Sequence, residues 1–116
     1  MKALDDRGLG HVAEYFRALS EPLRLKILNA LRDKPRNVGE LTELLDCSQA
    51  NVSKHLATLT RYGFVERNAR GTNAFYKIAD PRVYRLCDLV CGQMAQHFAN
   101  KAQMLGAPAI NSRPRR

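Results

Sequence analysis

The sequence predicts a mainly helical fold with one small β-hairpin, followed by a last long helix. Three observations predict it. Apolar residues recur at helical spacing in successive stretches up to Tyr62, two strand-like runs flank Arg70-Gly71-Thr72, and helical spacing resumes after Asp80-Pro81.

The first stretch, Leu9 to Leu19, places Val12, Tyr15, Phe16 and Leu19 on one helical face, and Ser20 is suited to cap the next helix. In that next helix Pro22 stands early, where a missing N–H is tolerated, and Leu23, Ile27, Leu28 and Leu31 form the inward stripe. Lys34-Pro35-Arg36 ends it. Asn37 then caps a short segment whose apolar residues are Val38, Leu41, Leu44 and Leu45. After Asp46-Cys47, Ser48 caps a helix with Val52, Leu56 and Leu59 inside, stopped by Tyr62-Gly63. Its expected outer face carries Gln49, Asn51, Ser53, Lys54 and His55. The runs Phe64 to Ala69 and Asn73 to Ile78, rich in aromatic and β-branched residues at their ends, are the two strands of the hairpin. From Asp80-Pro81 a helix of more than six turns is expected to reach about Leu105, with Val83, Leu86, Cys87, Val90, Met94 and Phe98 on one side.

A chain of 116 residues supports a single core, expected over residues 1–106, with 107–116 as a basic flexible tail containing Pro108 and Pro114. The formal charge is +8, and no Asp or Glu follows Asp88. That excess favours a polyanionic partner, nucleic acid before a membrane surface. The N-terminus lacks the apolar stretch of a signal peptide and no run is long enough to span a bilayer, so a cytoplasmic location is expected.

Two short helices joined by a tight turn, the second bearing amides, hydroxyls and a base, have the composition of a major-groove reader. Gln and Asn bond adenine edges in pairs, Ser serves donor or acceptor, and Lys meets guanine or phosphate. An ordinary solvated helix face would also be polar, and the hairpin that follows decides between the two. Set directly after a helix-turn-helix, it is a wing, and Arg67 and Arg70 give it backbone or minor-groove contacts. A hairpin that only completed the core would not require those arginines. The last helix is too long for the domain's own core, which predicts a symmetric dimer through the first and last helices and a palindromic double-stranded DNA operator.

This order of parts resembles the ArsR-type family of winged-helix transcriptional repressors, from roughly Val12 to Phe98. The matching text is Ala18 to Leu28, with its turn, proline and arginine; Ser48 to Leu59 as recognition helix; and Gly63-Phe64-Val65 with Arg70 to Tyr76 as wing. The resemblance implies a repressor that leaves DNA when an effector binds. It also implicates Gln49, Asn51, Ser53, Lys54, His55, Arg67, Arg70 and Thr72 in DNA contact.

The family's sensor sites do not carry over. Where metal sensors have a Cys-x-Cys-Asp stretch this chain reads Asn37-Val38-Gly39-Glu40, and the last helix offers Asp80, Arg82, Gln93 and Gln96 where a zinc site would need its ligands. Persulfide responders pair a cysteine of the second helix with one of the last, and this second helix has none. The three cysteines are too few for a disulfide framework. Cys87 and Cys91 stand four residues apart, on one helical face, and are the candidate sensor. They admit three roles: interface packing, thiol redox sensing, or binding of a soft metal or trivalent arsenic with a third ligand from Cys47, His97 or the other subunit. Which metal or cofactor, if any, the sequence leaves unknown. No phosphate-cradling glycine loop, nucleophile elbow or zinc-type histidine spacing occurs, so the chain is not expected to be an enzyme. The alternatives are a winged-helix protein-interaction module and, with neither Cys-x-x-Cys spacing nor βαβ context to support it, a thiol oxidoreductase.

Overall fold

The structure, a computed structural model, describes residues 4–104. These fall into two compact units, the first ending at Asp80 and the second starting at Pro81.

The first helix, α1 (Asp6–Ala18), starts three residues before the apolar spacing begins, because Asp5 caps it by accepting the Gly8 N–H at 2.9 Å. Gly8 and Gly10 depress helix propensity there and hide the start from a propensity argument. Ser20 does not cap the following helix: its hydroxyl donates backward to the Arg17 carbonyl at 2.7 Å and so closes α1. Glu21 stands at the N-cap of α2 (Pro22–Ala30) without a side-chain bond, and Pro22 takes the first turn as expected.

Arg36 and Asn37 form a two-residue strand, β1 (Arg36–Asn37), where the sequence predicts only a break. Asn37 also caps α3 (Val38–Leu45) through a full capping box: its Oδ1 accepts the Glu40 N–H at 2.8 Å while Glu40 Oε1 accepts the Asn37 N–H at 2.9 Å. Replacing Asn37 by Ala should therefore cost about 1 kcal/mol of stability, read as a lower urea midpoint at unchanged slope. Asp46 adopts a left-handed conformation (φ 53°) in the turn, a geometry that a short polar side chain tolerates. Ser48 then caps α4 (Gln49–Arg61) by accepting the Asn51 N–H at 3.1 Å. The far end of α4 closes in a Schellman motif, with Phe64 N–H to the Leu59 carbonyl at 2.9 Å, Gly63 N–H to Thr60 at 3.0 Å, and Gly63 at φ 82°.

The hairpin is β2 (Val65–Arg70) and β3 (Asn73–Ile78), antiparallel, with Arg70 opposite Asn73 and Val65 opposite Ile78. Since Gly71 has φ 61° and Thr72 is not left-handed, the two-residue loop is of the II′ kind that matches strand twist. The expected two-stranded hairpin is in fact a three-stranded sheet in the order β1-β3-β2, with Arg36 opposite Tyr76 and Asn37 opposite Phe75. A side-chain bond fixes the entry to β1: Arg36 Nε donates to the Ala30 carbonyl at 2.7 Å.

The core of this unit is built where α4 packs on α2, α3 and β2. Ile27, Leu28, Leu31, Leu41, Val52, Leu56, Leu59, Phe64 and Val65 are buried. Leu44, expected inside, is 56% exposed, because the inward face of α3 runs through Val38, Leu41, Thr42 and Leu45 and leaves Leu44 beyond its edge. Tyr15 stacks on Phe64 at 4.8 Å between ring centroids, and the Tyr62 hydroxyl donates to Glu14 Oε1 at 3.0 Å; Glu14 also pairs with Arg17. The C-terminal end of α4 is thus tied to α1.

The second unit is a single described element, α5 (Arg82–Met104), which begins one residue after Pro81 rather than on it. Cys87 and Cys91 lie on this uninterrupted helix, and Leu89, Val90, Met94 and Phe98 on it are all exposed. The tail expected over 107–116 lies outside the described residues.

Candidate nucleic-acid interface

Helix α4 sorts its side chains by face. Gln49, Asn51, Ser53 and Lys54 are exposed, and Val52, Leu56 and Leu59 are buried, as the spacing predicts. His55 departs from the prediction. It is only 7% exposed and faces the interior rather than the outer face that the sequence predicts. The spacing 52, 55, 56, 59 is the ordinary inward stripe of a helix and contained that signal; the polarity of imidazole argued the wrong way.

His55 is satisfied where it lies. Arg24 Nη1 is 3.4 Å from His55 Nδ1, and the ring holds a proton less readily than a free histidine, chiefly because burial disfavours the charged form and secondarily because Arg24 and Lys54 repel it. Glu21 opposes these effects.

The hairpin divides its two arginines. Cross-strand register and strand alternation put Glu66, Asn68, Arg70, Phe75 and Lys77 on one face and Val65, Arg67, Ala74 and Tyr76 on the other. On the first face Lys77 Nζ lies 3.7 Å from Glu66 Oε1, and the Arg70 guanidinium carbon sits 4.9 Å from the centre of the Phe75 ring. That stacking presents Arg70 beside the tip while covering the ring. On the second face Arg67 turns toward the start of α4. It lines an open cleft of about 320 Å³ together with Gln49, Thr72, Asn73, Tyr76 and the Asn37-Val38-Gly39 start of α3.

Gln49, Arg67 and Thr72 are thereby brought to one place, and Asn51, Ser53 and Lys54 continue along the exposed side of α4. Arg70 stands apart on the other side of the wing. Asn37, Asn73 and Tyr76 join the cleft although the sequence does not mark them as contact residues. They are there because β1 pairs with β3 and draws the start of α3 against the wing, and a two-residue strand leaves no periodic signal. The cleft offers an amide, a guanidinium and hydroxyls, a donor-rich lining.

Cys47 stands two residues before Gln49, whereas Cys87 and Cys91 stand on α5. Cys47, half-buried in the turn before α4, has its Sγ 3.3 Å from the Leu45 carbonyl; Cys87 is half-buried and Cys91 exposed. Among the described residues no group of three or more His, Cys, Asp or Glu side chains is placed to hold a metal ion. Among the same residues no helix is long and apolar enough to cross a membrane.

Residues 21–67 match the family described as bacterial regulatory protein, arsR family. The chain is 39% identical over 71 residues to a probable mercury resistance operon repressor of Streptomyces lividans, covering 61% of this chain and 57% of that one. It is 35% identical over 85 residues to the HTH-type transcriptional regulator NmtR of Mycobacterium tuberculosis, covering 73% and 71%. In structure it resembles the homodimeric winged helix-turn-helix DNA-binding domain of a Mycobacterium bovis protein, with a TM-score of 0.72, 31% identity, and coverage of 86% of this chain and 95% of that one. A capped reading helix, a wing closed on it and these likenesses converge: the chain belongs to the arsR family of bacterial winged helix-turn-helix DNA-binding transcription regulators and is not an enzyme.

Proposed function

We propose that this regulator is a repressor that binds a palindromic operator as a homodimer and is released when a thiol-reactive, metal or metalloid signal acts at Cys87 and Cys91. The observation that carries the DNA-reading half is the cleft shared by Gln49, Arg67 and Thr72 beside the exposed face of α4. In this reading Gln49, Asn51, Ser53 and Lys54 meet the major groove and Arg67, Arg70 and Thr72 hold the flanking backbone. The dimer half rests on α5, whose exposed Leu89, Val90, Met94 and Phe98 are apolar surface that a twofold partner would cover. A homodimeric structural relative and a relative described as an operon repressor favour the same reading.

The signal acts through the helix that carries both thiols. Bridged or metallated, Cys87 and Cys91 would alter packing along α5, and a small rotation between protomers would move the two reading helices off their half-sites. A soft ion would need a third ligand, which Cys47, His97 or the other protomer would supply. Each factor of ten in operator affinity corresponds to about 1.4 kcal/mol, so release would need a differential energy of only a few kcal/mol, within reach of one thiol event.

The test compares the parent chain with Cys87→Ser/Cys91→Ser and with Cys47→Ser. Each is titrated against a duplex obtained by in vitro selection, with and without oxidant, polysulfide, arsenite and zinc. The double variant should bind the duplex and ignore the effectors. A double variant that responds like the parent would make these cysteines packing residues. Light scattering should give twice the chain mass at micromolar concentration; a monomer would remove the palindrome.

A further inference from the structure

His55 looks like a reading residue in the sequence and is a buried joint in the structure. Arg24, in α2, makes that joint with its guanidinium: Nε donates to the Ala18 carbonyl at 2.7 Å, Nη2 to the Arg17 carbonyl at 3.5 Å, and Nη1 faces His55 Nδ1 at 3.4 Å. One side chain therefore holds both the last turn of α1 and the inner face of α4. A guanidinium only donates, so the ring meets it as an acceptor, with Nδ1 bare and the proton on Nε2. That is neutral imidazole.

The charged groups acting on the ring are Arg24 and Glu21 at the start of α2 and Lys54 on α4 itself. Of the elements packed against α4, α3 and β2 contribute no charged group to its surroundings among the described residues. Two cations and one anion around a ring 7% exposed leave little to stabilise an imidazolium. When protonated, Nδ1 becomes a donor aimed at a donor, and the interaction turns from attraction to repulsion.

We propose that Arg24 is a positioning residue that seats the reading helix through neutral His55, and that protonation of His55 unseats α4 and releases the protein from DNA. This rests on α4 being the DNA-reading helix. The predicted sign separates the buried joint from a surface contact. A histidine facing phosphates binds DNA more tightly when protonated, because a cation is added at a polyanion. His55 does the reverse: the proton enters only the state in which α4 has moved.

The experiment uses the full chain and a duplex recovered by in vitro selection at about pH 8, well above the ordinary histidine range. Affinity is followed by fluorescence anisotropy to about pH 5.5 at constant ionic strength, with folding checked by circular dichroism. The parent should weaken by about tenfold or more relative to His55→Gln, since two protomers each take up a proton on release. The Gln amide oxygen can accept from Arg24 Nη1 without titrating, so that variant should lose the acid weakening. Arg24→Lys keeps the charge but not the three-way reach, and should bind several-fold more weakly already at about pH 8. A second readout needs no variant. By reciprocity, adding the duplex must lower the midpoint of the His55 ring titration followed by nitrogen NMR. A midpoint that rises with DNA, or parent and His55→Gln profiles that coincide, would overturn the coupling. No binding of any duplex at about pH 8 would overturn it together with the assignment of α4, whereas binding with the wrong acid response overturns the coupling alone.

Discussion

Alanine at Gln49 should cost about 1–3 kcal/mol of operator affinity in each half-site and flatten the preference for the bases under the start of α4. Alanine at Arg67 should instead weaken every duplex alike and lower the salt slope, by roughly one for each phosphate left without its cation. The two residues line one cleft, and their chemistry differs. An amide carries a donor and an acceptor and can match a base edge, whereas a guanidinium on a strand follows the charged backbone. In a dimer each substitution is present twice, so even a tenfold loss per half-site becomes about a hundredfold loss in the whole complex, the largest effect expected from single surface changes. Arg70 supplies the internal comparison. Its guanidinium is stacked on Phe75 on the other face of the wing, so Arg70→Ala should reduce general affinity less than Arg67→Ala does. Ser53→Ala should behave like Gln49→Ala, since Ser53 is exposed farther along α4. Fluorescence titrations against the selected duplex and a scrambled one, at several salt concentrations, separate these outcomes. If Arg67→Ala changed base preference with the salt slope intact, the backbone role given to the wing would be wrong.

Local rules made much of the first unit legible. Pro22 at the start of α2, Asn37 and Ser48 as caps, Tyr62-Gly63 as a stop and Gly71 as the hairpin turn all act within a few residues, and a sequence displays such signals directly. Features decided by distant residues were not legible. β1 exists because Arg36 and Asn37 find Tyr76 and Phe75, some forty residues away. The division of Arg67 from Arg70 follows from register, which the strand text does not state until the turn is known to span two residues. His55 and Leu44 exchanged expected places for a related reason. In α4 the partner that makes a buried imidazole acceptable, Arg24, is 31 positions away, and in α3 the packing of the neighbouring helices selects the face through Val38, Leu41 and Leu45 and leaves Leu44 beyond its edge.

Leu56→Ala should remove about 2–5 kcal/mol of folding stability, because truncation of a buried leucine loses transfer energy and leaves a cavity that neighbours fill only in part. Leu56 is fully buried, with Val52 and Leu59 on the same helix and Ile27 and Leu41 likewise at 0% exposure on the helices packed against it. Domains of this size are stable by only about 5–15 kcal/mol, so the loss is a large share of the total. Urea unfolding followed by circular dichroism should show a lower midpoint at nearly unchanged slope. The proper control is Leu44→Ala, the same chemical change at a leucine that is 56% exposed, where the expected cost is within about 0.5 kcal/mol. Both variants must be compared at one protein concentration, since the stability of a dimer depends on it. If Leu44→Ala cost as much as Leu56→Ala, Leu44 would have to be buried against something beyond its own chain. The cost would then grow with protein concentration if a second copy were the cover, and stay constant if Leu44 were packed inside a single protomer.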